Sequence, residues 1–195
     1  MADKKTAIIE ATISAIAQYG LNKTNAQLVT SEMGMAQSSI FYHIPTQQKL
    51  YESLVPHIAK INIHGVKELL KQSNVTTNFE RLCQYIRGNL LWAMSHRNHV
   101  MVLIYALAEG KHSEHIYKEV TAILKMAEEK IYFYLVAGVA EQEFKVDGNL
   151  KSFAKFINQS VNGTVLTQFQ FFDDWSVDTY MKELQVFLKG VIHIQ

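Results

Sequence analysis

The sequence predicts an all-α fold: an N-terminal three-helix head containing a helix-turn-helix, followed by a larger helical body. Three observations carry that expectation. Only 2 prolines and 9 glycines punctuate 195 residues, too few for the turn at about every ten residues that a sandwich or barrel requires. Apolar residues recur at three- and four-residue spacing in one segment after another. Near the N-terminus, two short segments with that spacing meet at Gly34, the outline of a helix-turn-helix.

Taken in order, Ile8, Thr12, Ala15, Ile16 and Tyr19 mark one face of a helix over residues 4–19, stopped by Gly20. Thr24-Asn25-Ala26-Gln27 has the form of a capping box, in which the threonine hydroxyl accepts from a backbone N–H and the glutamine reaches back. A short helix over 25–33 follows from it. Gly34 breaks the chain, and a third helix fits 37–43 before Pro45. Thr46 caps a fourth, running through Leu50, Leu54, Ile58 and Ile61 to about residue 71, with Pro56 predicting a kink or a displaced start. After the polar linker 73–77, helices are expected at 78–95, 100–109, 114–140, 149–172 and 177–192.

Composition removes several classes of function. A formal net charge of +1 gives no global attraction to nucleic acid, so any electrostatic footprint has to be local. Cys83 is the only cysteine, which excludes an intrachain disulfide and a cysteine-type zinc site and suits a reducing cytosol. Residues 1–19 lack the continuous apolar stretch of a signal peptide, and the longest apolar run, 131–140, is about half the ~20 residues of a membrane span. The expected location is therefore the cytoplasm. His96 with His99 and His112 with His115 have i,i+3 spacing, but both pairs sit at predicted breaks and read as solvated side chains, so no metal and no cofactor is expected. Without a nucleophile elbow, a phosphate loop or an HExxH motif, the chain is not expected to be an enzyme.

The residues Ile8-Ile9-Glu10-Ala11, Tyr19-Gly20, Thr24, Gly34, Ile40-Phe41-Tyr42-His43-Ile44-Pro45 and Leu50 fall in register, without a gap, with the N-terminal signature of the TetR family of transcriptional regulators. The first quarter of the chain resembles that family in motif, and the rest resembles it in layout. The resemblance implies a DNA-binding domain over 1–46 and a ligand-binding and dimerisation domain over 47–195. It also implies a homodimer that grips a palindromic operator of double-stranded DNA in successive major grooves, about 34–36 Å apart, and that a small-molecule effector releases. Carried over by position, Gln37, Ser38, Ser39 and Tyr42, helped by Gln27, would touch base edges. Asn25, His43 and the start of the fourth helix would hold phosphates. This sequence departs from the pattern at Phe41, where tyrosine is usual, at Gln47, where lysine is common and Lys49 is the nearby substitute, and at Ala36, often a serine cap. The head carries only Lys4, Lys5, Lys23 and Lys49 against Asp3, Glu10, Glu32 and Glu52, which predicts weak non-specific binding.

In the body, Tyr85, Asn89, Trp92, Met101, Tyr105, Phe133, Gln168 and Phe169 are either ordinary core or the apolar walls and polar anchors of a pocket for a largely apolar or aromatic molecule. In the penultimate helix Leu150, Phe153, Ala154, Ile157, Val161, Val165, Phe169 and Phe172 form a broad apolar stripe, and Phe156 and Gly163 lie off it. With Phe187 and Val191 on the last helix, they suggest a dimer interface, the alternative being burial within one subunit. Two functions stay in contention: ligand-controlled repression coupled through the fourth helix, and a helix-turn-helix-shaped interaction or sequestration protein with little DNA affinity.

Overall fold

The computed structural model describes residues 3–111, 113–171 and 175–194, and the side chains at all of these except 169–171 and 194. Helices α1 (Lys4–Tyr19), α2 (Ala26–Met33), α3 (Gln37–His43), α4 (Gln47–Gln72), α5 (Asn78–Ser95), α6 (Arg97–Glu109), α7 (Glu114–Ala140), α8 (Leu150–Phe171) and α9 (Val177–Val191) make up most of the chain. A single 3-10 turn, Leu21–Lys23, joins α1 to α2, and strands β1 (Phe144–Val146) and β2 (Ile192–Ile194) pair antiparallel. The all-α expectation holds, with that small ladder added.

Four local outcomes differ from the sequence reading. Asn25, not Thr24, caps α2: its side chain accepts from Leu28 N at 2.9 Å, while the Thr24 hydroxyl donates to the Gly20 carbonyl at 2.9 Å. The threonine is buried and turned back to the preceding turn, so the capping role passes to the exposed neighbour. α6 begins at Arg97 rather than at residue 100, because Arg97-Asn98-His99 form a polar first turn that shows no apolar period. α4 starts at Gln47 and continues as one helix through the exposed Pro56, so the displaced start that Pro56 allowed does not occur. The last difference is the ladder, which pairs Phe144 with Ile194, Lys145 with His193 and Val146 with Ile192 in segments read as a break and a helix end.

By packing, the chain divides into two compact units: Met1–Ile61 with His96–Thr121, and Asn62–Ser95 with Ala122–Gln195. In the first, α1 packs on α2, α3 and α6, and Ile8, Ile13 and Ile16 are fully buried. Buried Thr12 and Thr30 donate their hydroxyls to the Ile8 and Ala26 carbonyls one turn back, so neither polar group is left unsatisfied. Glu10 ties three helices together: His57 Nε2 of α4 lies 2.6 Å and His99 Nε2 of α6 lies 3.2 Å from its carboxylate oxygens. A carboxylate can only accept, so both rings donate. Because α6 packs on α1, the packing units are drawn differently from the division of function expected after residue 46.

In the second unit Leu82, Ile86 and Leu90 of α5, Ile131 and Leu135 of α7, Ile157 of α8, and Leu184 and Leu188 of α9 build one core around Phe144. α7 ends in a Schellman motif, with Gln142 at φ 59, Gln142 N–H on the Val139 carbonyl and Glu143 N–H on the Gly138 carbonyl. That turn lays the Phe144 ring on Gly138, where a Cβ would stand 2.2 Å from Cε1 and Cζ. It also brings Glu143 to the start of α5, where the carboxylate accepts from Asn78 N at 2.6 Å and from Asn78 Nδ2 at 2.8 Å. Cys83 is buried in this core, and burial, against a hydrogen bond with Gln185, pushes its thiol up to about 11.

Candidate nucleic-acid interface

α2 and α3 form the helix-turn-helix in four steps. Asn25 starts α2. Gly34 at φ 63, ψ 32 closes it in the left-handed conformation, with Gly34 N–H on the Ser31 carbonyl and Met35 N–H on the Thr30 carbonyl. The extended Ala36 then starts α3 without a side-chain cap. Finally α3 turns Ile40 inward, fully buried, and Ile44 follows it into the core. What that leaves outward is polar: Gln37, Ser38 and Tyr42 are exposed, Tyr42 at 85%, and Ser39 and His43 are half-buried. The Tyr42 and His43 rings meet edge to face at 5.2 Å. Among the described residues, no side-chain hydrogen bond engages any of these five. Asn25 and Gln27 are also exposed, and Asn25 spends its Oδ1 on the cap while its Nδ2 donors stay outward.

The start of α4 is more committed. Thr46 Oγ1 accepts from Lys49 N at 3.1 Å, as expected of a cap. Gln47 Nε2 donates to the Tyr51 hydroxyl at 3.0 Å, and that hydroxyl donates to the Thr24 carbonyl. Lys49 Nζ sits 2.7 Å from Glu52, which also accepts from Gln48. The Lys49 hydrogen bond, against a smaller opposing effect of burial, holds the Glu52 carboxyl below its ordinary value. Both residues named for this corner, Gln47 and Lys49, are thus engaged within their own helix.

The expected pocket residues are drawn from both packing units. Met101 and Tyr105 belong to the first unit, and Tyr85, Asn89, Trp92, Phe133 and Gln168 to the second. The Phe169 side chain and residue Phe172 lie outside the described residues. In the second unit Asn62 Nδ2 donates to Asn89 Oδ1 at 3.2 Å and Asn89 Nδ2 to the Tyr85 carbonyl at 2.9 Å. Trp92 is buried with its ring against Gly65, and burial pushes the Tyr85 hydroxyl up to about 12. Gln168 buries its Oε1 without a hydrogen-bond partner. Phe133 is at the surface, 57% exposed, with Lys130 Nζ 4.8 Å from its ring centre. The first unit holds a cavity of about 370 Å³ lined by residues of α1, α4, α6 and the start of α7, and Tyr105 is the one expected pocket residue among its walls. Tyr51 and Glu109, which also line it, were not picked out from sequence. The i,i+4 spacing of Tyr105 and Glu109 puts them on one face of α6, but nothing in the sequence says that this face borders a cavity.

Of the residues named for a dimer, Phe156 and Phe187 are half exposed with their rings 5.8 Å apart, and Val186 beside them is 73% exposed. A Cβ on Gly163 would meet nothing within 4 Å. Phe153 and Val191 are half-buried, and Phe153 packs on the core of its own unit. The His96 and His99 rings meet at 5.3 Å, His112 lies outside the described residues, and among the described residues no three metal-ligating side chains converge. No helix among them is long and apolar enough to cross a membrane.

No family model matches the sequence, and neither does any curated protein. Solved structures do match over nearly the whole chain. A TetR transcription regulator from Haloarcula marismortui superposes with a TM-score of 0.84 at 13% identity, covering 97% of this chain and 99% of its own. A TetR-family regulator from Agrobacterium tumefaciens gives 0.71 at 20% identity, covering 96% and 97%. A protein from Saccharomonospora viridis described as a transcriptional regulator, solved in complex with choline, gives 0.84 at 18% identity, covering 99% and 100%. The chain therefore has the fold of TetR-type regulators. At these identities the likeness is one of fold.

Proposed function

We propose that the chain is a ligand-responsive, DNA-binding transcriptional regulator of the cytoplasm. It works as a homodimer and acts as a repressor that a small, largely apolar or aromatic effector releases from a palindromic operator. The observation that carries this reading is the outward face of α3, where Gln37, Ser38, Ser39, Tyr42 and His43 have no side-chain hydrogen bonds among the described residues, on a helix anchored by Ile40. Such a face matches base edges, with Gln37 suited to bidentate pairing with adenine and the serines to either donor or acceptor. Asn25, Gln27 and His43 would supply phosphate contacts. In the second unit, the buried Gln168 Oε1 and the Asn62–Asn89 pair are the polar anchors an apolar effector site needs. Phe156, Gly163 and Phe187 are the self-complementary patch a two-fold dimer needs.

The test is fluorescence anisotropy with duplex DNA from upstream of the protein's own reading frame, at two salt concentrations. Saturable binding is expected, with a log–log salt slope no steeper than about −4, because few lysines are available to release counterions. Tyr42→Ala and Gln37→Ala should each weaken specific binding by about tenfold or more. Absence of saturable binding at low salt would favour the second reading, a sequestration protein, which the commitment of Lys49 to Glu52 supports.

A further inference from the structure

The cavity of the first unit has a chemistry that neither the DNA-reading face nor the effector site uses. We propose that it binds a small organic amine: a protonated amino group on a short aromatic or aliphatic body. Its floor is apolar, made by Ile16 of α1, Leu54 and Val55 of α4, and Val102 and Ala106 of α6. Of its polar lining, the Tyr51 hydroxyl is already spent on the Thr24 carbonyl and the Gln47 amide. Besides the exposed Asn22 amide, the Tyr105 hydroxyl and the Glu109 carboxylate are not. They lie one turn apart on α6, both line the cavity, and neither has a hydrogen bond or ion pair among the described residues.

Glu109 decides the sign of the ligand. Among the described lining residues it is the only charged group, with no lysine, arginine or histidine there to offset it. A carboxylate is an acceptor only, and a tyrosine hydroxyl can also accept, so the pair suits a group that is all donor, such as an ammonium. A neutral apolar molecule would strip water from Glu109 without replacing its hydrogen bonds, and an anion would meet it head on. The body of the amine would cover Leu54, Val55 and Val102 and remove their apolar surface from water. A volume of about 370 Å³ is at the small end for ligand sites, which restricts the occupant to a compact molecule.

The test is run on the intact chain without DNA, so its outcome is independent of the regulator reading. Phenethylamine, phenethyl alcohol and phenylacetate are titrated by calorimetry, with methyl NMR reporting on Val55 and Val102. Phenethylamine is expected to bind at one site and to shift both methyl signals, with the alcohol and the acid weaker by about tenfold or more. Glu109→Gln should cost about tenfold in amine affinity and close the gap to the alcohol, and Tyr105→Phe should cost less. Glu68→Gln, on the part of α4 assigned to the second unit, should change nothing. Amine binding no tighter than alcohol binding, unaffected by Glu109→Gln, or reported by methyl groups elsewhere would overturn the proposal. So would no binding at millimolar concentration, and the ligand series decides the matter even if a variant fails to fold.

Discussion

Glu10 shows how much one side chain can hold. Burial pushes its carboxyl up, but the His57 hydrogen bond and the charge and hydrogen bond of His99 outweigh that and hold it below its ordinary 4.5. A depressed carboxyl contributes stability that is present above the ordinary value and lost as pH falls through the lower folded one. Wild type and Glu10→Gln should therefore differ in urea midpoint at about pH 7 and converge towards about pH 3. An equal difference at both pH values would refute this. The same residue marks the limit of what sequence discloses. Glu10 entered the sequence reading as part of a motif and a charge count, and its partners lie 47 and 89 residues away. Tyr42 was legible because it and the adjacent His43 cannot both face a core from one helix, and Ile40, two residues back and so on the opposite side from Tyr42, is fixed inward by period. Glu109 was not legible, since spacing gives a face and says nothing of which face borders a void.

Helices were legible where an apolar period ran unbroken, as in α1, α3, α5 and α7, whose ends match the expected ones. The start of α6 was hidden by three polar residues, and β1 and β2 by length, because three residues give barely one alternation. The junction between α7 and β1 is governed by a close approach that no pattern reveals. Adding a methyl group at Gly138 drives it into the Phe144 ring, which is 1% exposed and has no room to swing. Gly138→Ala gains helix propensity of up to about 1 kcal/mol but pays an overpacking penalty of about 1–3 kcal/mol or more. A net loss of stability in urea denaturation is the expected outcome, and a variant as stable as wild type would mean the ring yields.

At the scale of the whole molecule, the proposed dimer rests on apolar surface that one chain leaves uncovered. Phe187→Asp would place a charge on that surface, which in the proposed two-fold dimer enters the interface once from each chain. Light scattering after size exclusion should then report a monomer with unchanged helical circular dichroism. Persistence of the dimer would move the interface elsewhere. The pocket set drawn from sequence mixed residues of both packing units, since periodicity assigns residues to faces and not faces to neighbours. Cys83 offers a way to watch one unit without the other. It is the only thiol in the chain, it lies in the core of the second unit, and with its thiolate suppressed it is closed to alkylating reagents while that core stays shut. Labelling at that single sulfur thus acts as a clock for openings of the second unit, blind to fraying in the first.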